Sequence, residues 1–193
     1  MRSFFSLSLI LGLGLLLSSS SRGADDKKSE EPPAPVKPGK EHQLLKQMEG
    51  SWEALIKTPG EPGKGAMEFK GSETCKLSHN GLWLIEDFKA DLGGQPFTGH
   101  GVYGYDPAKK KYVGVWVDSM QDFLGQNEGQ FDSSGKVWTM TMDSKDPSGK
   151  AMKIKMVTEF KDKDHHTFTM SAPGEGGKEM AIMTIEYTRK AKK

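Results

Sequence analysis

The sequence predicts an all-β fold, a closed or nearly closed antiparallel up-and-down barrel of about ten strands with one short N-terminal helix. Three observations predict it. From Glu41 onward the hydrophobic residues recur with period two: Met67 and Phe69 alternate with Glu68 and Lys70, and Met152, Ile154 and Met156 alternate with Lys153 and Lys155. Alternation of this kind sends one face of a strand into a core and the other into water. The segments between the alternating runs are short and rich in Gly, Asp, Asn, Pro and Ser, the residues that make tight turns. Finally, a long meander of strands must hide its two edges, and closing the sheet on itself does so. A two-sheet sandwich is the alternative.

In chain order, the first segment is Arg2 followed by an apolar run from Phe4 to Leu17, with small residues Ser21 and Gly23 at −3 and −1 of a cut after Gly23. This is the pattern of a secretory signal over residues 1–23; the apolar run is shorter than the roughly 20 residues that span a bilayer. The chain is therefore expected to be secreted or periplasmic, with no membrane span after cleavage. Residues 24–40 contain Pro32, Pro33, Pro35 and Pro38 among Asp, Glu, Lys and Ser, with no aromatic residue, and read as a disordered linker. The folded domain is expected over 41–190, and 191–193 form a basic tail.

Within that domain Leu44, Leu45 and Met48 have helical spacing and place the short helix at Glu41–Met48. The strands follow at Trp52–Lys57, Ala66–Lys76, Leu82–Ala90, Phe97–Tyr105, Lys111–Ser119, Leu124–Phe131, Lys136–Asp143, Ala151–Lys161, His165–Ala172 and Lys178–Arg189. Asn80-Gly81 reads as a two-residue hairpin turn. Asp106-Pro107, Asp132-Ser133 and Asp146-Pro147 each open a turn whose aspartate can accept from backbone N–H groups two and three residues on.

Composition narrows the function classes. The 193 residues carry 27 basic and 26 acidic side chains, and the lysines are scattered, so no nucleic acid or other polyanion is implied as partner. Cys75 is the single cysteine and is expected to be a buried core thiol. The five histidines lack metal-ligand spacing, and no metal or other cofactor is expected. His165 and His166 are adjacent in a strand and point to opposite faces. Gly99-His100-Gly101-Val102-Tyr103-Gly104 matches the dinucleotide pattern G-x-G-x-x-G, but no helix follows it, so these glycines are expected to serve strand packing. No hydrolase or kinase motif is present and no catalytic residue is assigned. Glu86-Asp87 reads as solvated charge rather than an acid–base pair.

Gly50-Ser51-Trp52 opens the first strand, and Arg189, the only arginine beyond residue 22, closes the last. This pair resembles the calycin arrangement of the lipocalin and fatty-acid-binding superfamily, in which a G-x-W tryptophan at the closed barrel end is covered by an arginine from the final strand. The run Gly93-Gly94-Gln95-Pro96-Phe97-Thr98-Gly99, then Gly104-Tyr105-Asp106, Trp116-Val117-Asp118-Ser119-Met120 and Glu186-Tyr187-Thr188-Arg189 resembles a bacterial family known as a domain of unknown function and grouped with calycin-like barrels. The resemblance implies a barrel and no established activity, and it gives Gly50, Trp52 and Arg189 a structural role.

The expected function is a non-enzymatic barrel that binds a small apolar or amphiphilic molecule. Seven of the eleven methionines lie from Met140 onward, and thioethers adapt to irregular guests. The expected lining is Met140, Met142, Met152, Met156 and Met170 with Trp116, Trp138 and Phe168, and Asp118 and His166 as polar contacts. A solid methionine-filled core is the competing reading. Two other function classes remain open: a structural or partner-binding envelope protein, and a haem-binding or enzymatic barrel using Asp118 with His100 or His166.

Overall fold

The alternating runs become strands because each has one apolar face to bury, and the short turns leave each strand beside its predecessor. In a computed structural model that describes residues 34–60, 65–145 and 148–191, they form β1 (Gly50–Thr58), β2 (Met67–Ser78), β3 (Trp83–Asp91), β4 (Pro96–Asp106), β5 (Lys111–Asp118), β6 (Gly125–Phe131), β7 (Val137–Lys145), β8 (Ala151–Phe160), β9 (His165–Pro173) and β10 (Glu179–Arg189). Every pairing is antiparallel between sequence neighbours, and β1 also pairs with β10, so the ten strands close into a barrel. At the seam Trp52 lies opposite Arg189 on one side and Glu73 on the other. The expected signal segment, most of the expected linker, the expected Asp146-Pro147 turn and the last two residues lie outside the described residues. No helix among the described residues is long and apolar enough to cross a membrane.

The helix, α1, spans Lys40–Leu45 and continues only as a turn, so it stops short of the Met48 expected from the apolar spacing. The chain turns through Lys46–Glu49 to Gly50, whose φ of +138° begins β1 in a conformation other residues avoid. One barrel end gathers the start of β1, the end of β10 and the β4–β5, β6–β7 and β8–β9 turns, and α1 sits across it. Leu45 is fully buried there, the Tyr112 hydroxyl donates to the Glu41 carbonyl at 2.8 Å, and the Gln47 amide donates to the Gly135 carbonyl at 2.9 Å.

Two turn aspartates bind backbone N–H groups. Asp106 accepts from those of Ala108 and Lys109, two and three residues on as expected, and Asp132 accepts from those of Lys136 and Val137, four and five residues on. The Asn80-Gly81 turn is longer than the two residues expected. Ser78 pairs with Trp83, leaving 79–82 as the loop, with His79, Asn80 and Gly81 all at positive φ. The glycines of the dinucleotide-like run sit in β4 and make room for rings: a Cβ at Gly99 would overlap Trp116, and one at Gly101 would lie 2.6 Å from Tyr103.

Candidate functional site

The barrel interior is built from the inward half of each strand, and its closed end is locked around Trp52. The Trp52 indole N–H donates to the Met48 carbonyl at 2.8 Å, and the Arg189 guanidinium lies 3.9 Å above the ring centroid. The same guanidinium donates to the carbonyls of Glu49 at 2.6 Å, Lys163 at 2.8 Å and Gln47 at 3.3 Å. One arginine thus ties α1's trailing turn, the β8–β9 turn and the seam together. Gly50 has no side chain because its Cβ would occupy the guanidinium's place. Asp164 adds an ion pair at 3.4 Å.

Beyond this lock the interior is open. A cavity of about 560 Å³ runs among the inward side chains and reaches the loop 119–124 at the other barrel end, where Met120 and Phe123 line it and are themselves exposed. Its wall follows from register. Met140 lies opposite Met156, Met156 opposite Met170, and Met170 opposite Met183, so four adjacent strands lay a belt of thioethers across the wall. Phe88, Phe97, Trp116 and Trp138 supply the facing aromatic surface. Unbranched thioethers and flat rings fill space without fixing it, which leaves a cavity able to adjust to a guest.

Toward the closed end the lining turns polar. Glu73 and Glu86 are both buried, and with the Cys75 sulfur their ligand atoms lie within 4.8 Å of one another. The Cys75 thiol donates to Glu73 at 3.3 Å, and the Tyr187 hydroxyl donates to the other Glu73 oxygen at 3.2 Å. Burial pushes the Glu73 carboxyl up to about 7, against the pull of these two donors. Burial and the neighbouring Glu73 charge raise Glu86 well above the carboxylate range. Burial, with the two acids' charges adding, raises Cys75 and Tyr187, so the thiol stays protonated.

His166 stacks on Tyr187 with ring centroids 4.4 Å apart and meets the Trp52 face edge-on, also at 4.4 Å. Only 2% of it is exposed, and neither ring nitrogen has a hydrogen-bond partner. Burial, with the Arg189 charge adding, lowers its pKa to about 3 and keeps it neutral. Asn127, also buried, has neither amide atom bonded, and the Trp138 indole N–H has no acceptor. Buried polar atoms left without a partner are costly, and all three side chains line the cavity.

The ten residues expected to line a binding site, Trp116, Asp118, Trp138, Met140, Met142, Met152, Met156, His166, Phe168 and Met170, all lie on the cavity wall. Asp118 is already committed: it accepts from the Trp116 indole at 3.0 Å, the Met120 N–H at 2.8 Å and the Gln121 amide at 2.9 Å, and so anchors the loop at the mouth. His100 points outward, is exposed and pairs with Asp87 at 2.9 Å, which corrects its expected inward placement. His165 is likewise outside on Asp162 while His166 is inside. Cys75 is the buried thiol expected.

Glu86 corrects a second expectation, for it is buried and not solvated; Asp87 alone faces water. The signal was phase. Glu73 alternates in register with Cys75 and Leu77, and Glu86 with Leu84 and Phe88, so both had to face inward once the strands formed. Glu73, Cys75 and Glu86 are the one group of three metal-ligating side chains among the described residues, two hard oxygens and a soft sulfur.

The barrel is similar to solved structures of low identity, which share its fold. The crystal structure of Rv2717c from M. tuberculosis has a TM-score of 0.58 at 13% identity, covering 79% of this chain and 99% of that one. The S-type phycobiliprotein lyase CPES from Guillardia theta has a TM-score of 0.53 at 11% identity, covering 81% of this chain and 100% of its own. No curated protein matches the sequence. A family model matches residues 37–189, nearly the whole barrel with its helix, and the chain belongs to that family, DUF1579, described as a protein of unknown function.

Proposed function

We propose that this barrel is an exported, non-enzymatic carrier of one small apolar or amphiphilic molecule. The observation that carries the reading is the cavity of about 560 Å³, a volume ordinary for a small-molecule site, walled by the methionine belt and aromatic rings. Burial of a guest's apolar surface at about 25 cal/mol per Å² supplies the affinity, and the unbonded polar atoms of His166 and Asn127 orient its polar end. The Trp52–Arg189 stack supports the calycin-type resemblance and leaves that end of the barrel as structure. The reading rests on the cavity and not on the similar solved structures, which speak for the fold alone.

The test is titration of the purified protein with N-phenyl-1-naphthylamine, a neutral probe that brightens in apolar surroundings. One site with micromolar affinity, reduced by Met156→Trp, supports the carrier. No probe binding, together with native mass spectrometry that finds no co-purified guest, refutes it and leaves the partner-binding envelope reading. The unbonded His166 nitrogens favour one alternative, a haem ligand; a Soret shift on haem titration that His166→Phe abolishes would establish it instead. Export is tested by N-terminal sequencing of protein recovered outside the cytoplasm, which should begin at Ala24. Limited proteolysis should then remove residues up to about Lys40 before any barrel strand.

A further inference from the structure

We propose that the recess around Glu73 and Glu86 receives the protonated amine head of an amphiphilic ligand, whose apolar body lies along the methionine belt. The inference rests on the carrier reading and adds the chemical class of its guest. The ionisable side chains lining the cavity are Glu73, Glu86, Asp118, His166, Tyr103 and Tyr187; no lysine or arginine lines it among the described residues. The Arg189 guanidinium, whose charge is felt by Cys75 and His166, stacks on Trp52, already holds three carbonyls and does not line the cavity. A fatty acid would bring an anion into a recess where burial already pushes two acids toward the protonated form and no described lysine or arginine lines the wall to meet it, an arrangement that is costly. An ammonium head favours ionisation of the buried Glu73 and Glu86 carboxyls by bringing the positive charge that the described cavity wall lacks, and it forms charge-assisted hydrogen bonds with them.

Independent of the acids, the unbonded side chains point to a ligand with hydrogen-bonding atoms in this cavity. Asn127 is buried with a free carbonyl oxygen and a free amide, and neutral His166 has a ring nitrogen able to accept. Both line the same cavity as the two glutamates. His166 is joined to the recess through Tyr187, which stacks on it and donates to Glu73. An ammonium offers three donors, and the cavity offers acceptors on Glu73, Glu86, Asn127 and His166. A bare divalent ion would take the thiol and carboxylates and leave the methionine-walled space unused; an amphiphilic cation uses both.

The experiment displaces N-phenyl-1-naphthylamine from the purified protein with decylamine, decanol and decanoate at about pH 8, where the amine is cationic and the acid anionic. Decylamine should displace the probe at concentrations at least tenfold below decanoate and several-fold below decanol. In Glu73→Gln/Glu86→Gln the amine's advantage over decanol should vanish. Should that variant not fold, the head-group order in the unaltered protein still decides. Equal or better displacement by decanoate overturns the proposal while leaving the carrier reading intact. Absence of any probe binding overturns both.

Discussion

Replacing Glu73 by glutamine should make the protein more stable in mild alkali, although it removes a hydrogen-bonded core side chain. The Glu73 carboxyl is moved from its ordinary 4.5 to about 7, chiefly by burial. Between those two values the folded chain keeps a proton that the unfolded chain has released. The unfolded state then binds fewer protons, so stability falls as pH rises from about 4.5 to about 7 and is level above. At about 1.4 kcal/mol per pKa unit, the fall attributable to Glu73 is about 3 kcal/mol. Glutamine has no proton to lose and keeps an oxygen for the Tyr187 hydroxyl to donate to. Urea unfolding, followed by tryptophan fluorescence at about pH 5 and about pH 8, should give similar midpoints for the two proteins in acid. At the higher pH the variant should be ahead by about 2–3 kcal/mol, retaining only the share of the fall that belongs to Glu86. Parallel stability–pH curves for both proteins would refute the claim that Glu73 is buried without a counter-charge.

His166 acts in the opposite sense: with its pKa lowered to about 3, it stays neutral while the unfolded chain takes up a proton below 6.5, so stability falls with acid, by about 3 kcal/mol at about pH 4. His166→Phe should flatten that acid limb, as circular dichroism across about pH 7 to 4 would register. Arg189→Lys should cost about 1–3 kcal/mol, since an ammonium reproduces neither the flat contact with Trp52 nor the fork that reaches three carbonyls; an unchanged urea midpoint would contradict this. Met170→Trp should lower naphthylamine affinity at least tenfold with a stability change under about 1.5 kcal/mol, because the new ring enters empty space; loss of stability first would mean a solid interior. Gly129→Ala should destabilise by more than about 2 kcal/mol in thermal melts, because its Cβ meets the Thr139 carbonyl oxygen and the Met140 Cα.

The strands were legible because each rests on a period of two that survives in any context. Met152, Ile154 and Met156 or Lys153 and Lys155 need only their neighbours in sequence to be sorted inside from out. The ten wall residues were legible for the same reason. What alternation does not carry is the exact reach of a helix or a turn. The turn from α1 into β1 passes through Gly50, whose Cβ place is taken by an arginine distant in sequence, and the 79–82 loop depends on three consecutive positive φ angles. The acidic recess was hidden by residue type. Glutamate in a lysine-rich chain reads as surface charge, and Glu86 beside Asp87 strengthens that impression, yet its phase with Leu84 and Phe88 places it inside. His100 failed for the reverse reason: Gly99 and Gly101, flanking it, hold the inward places and leave the imidazole to solvent and Asp87.

The seam between β1 and β10 bears on how the chain acquires this structure. Every other pairing joins strands adjacent in sequence and can zip as a local hairpin, but the closing pair sets Trp52 against Arg189 across the whole length of the domain. Contacts of such separation form late, because the loop they close carries the largest entropy cost. The ring is therefore incomplete until the final strand is available, and until then it presents two open edges. A chain halted before β10 would be an open nine-stranded sheet without its Arg189 clasp. Placing the locking residue at the very end of the domain thus delays closure of the barrel until the last strand of the chain has been made.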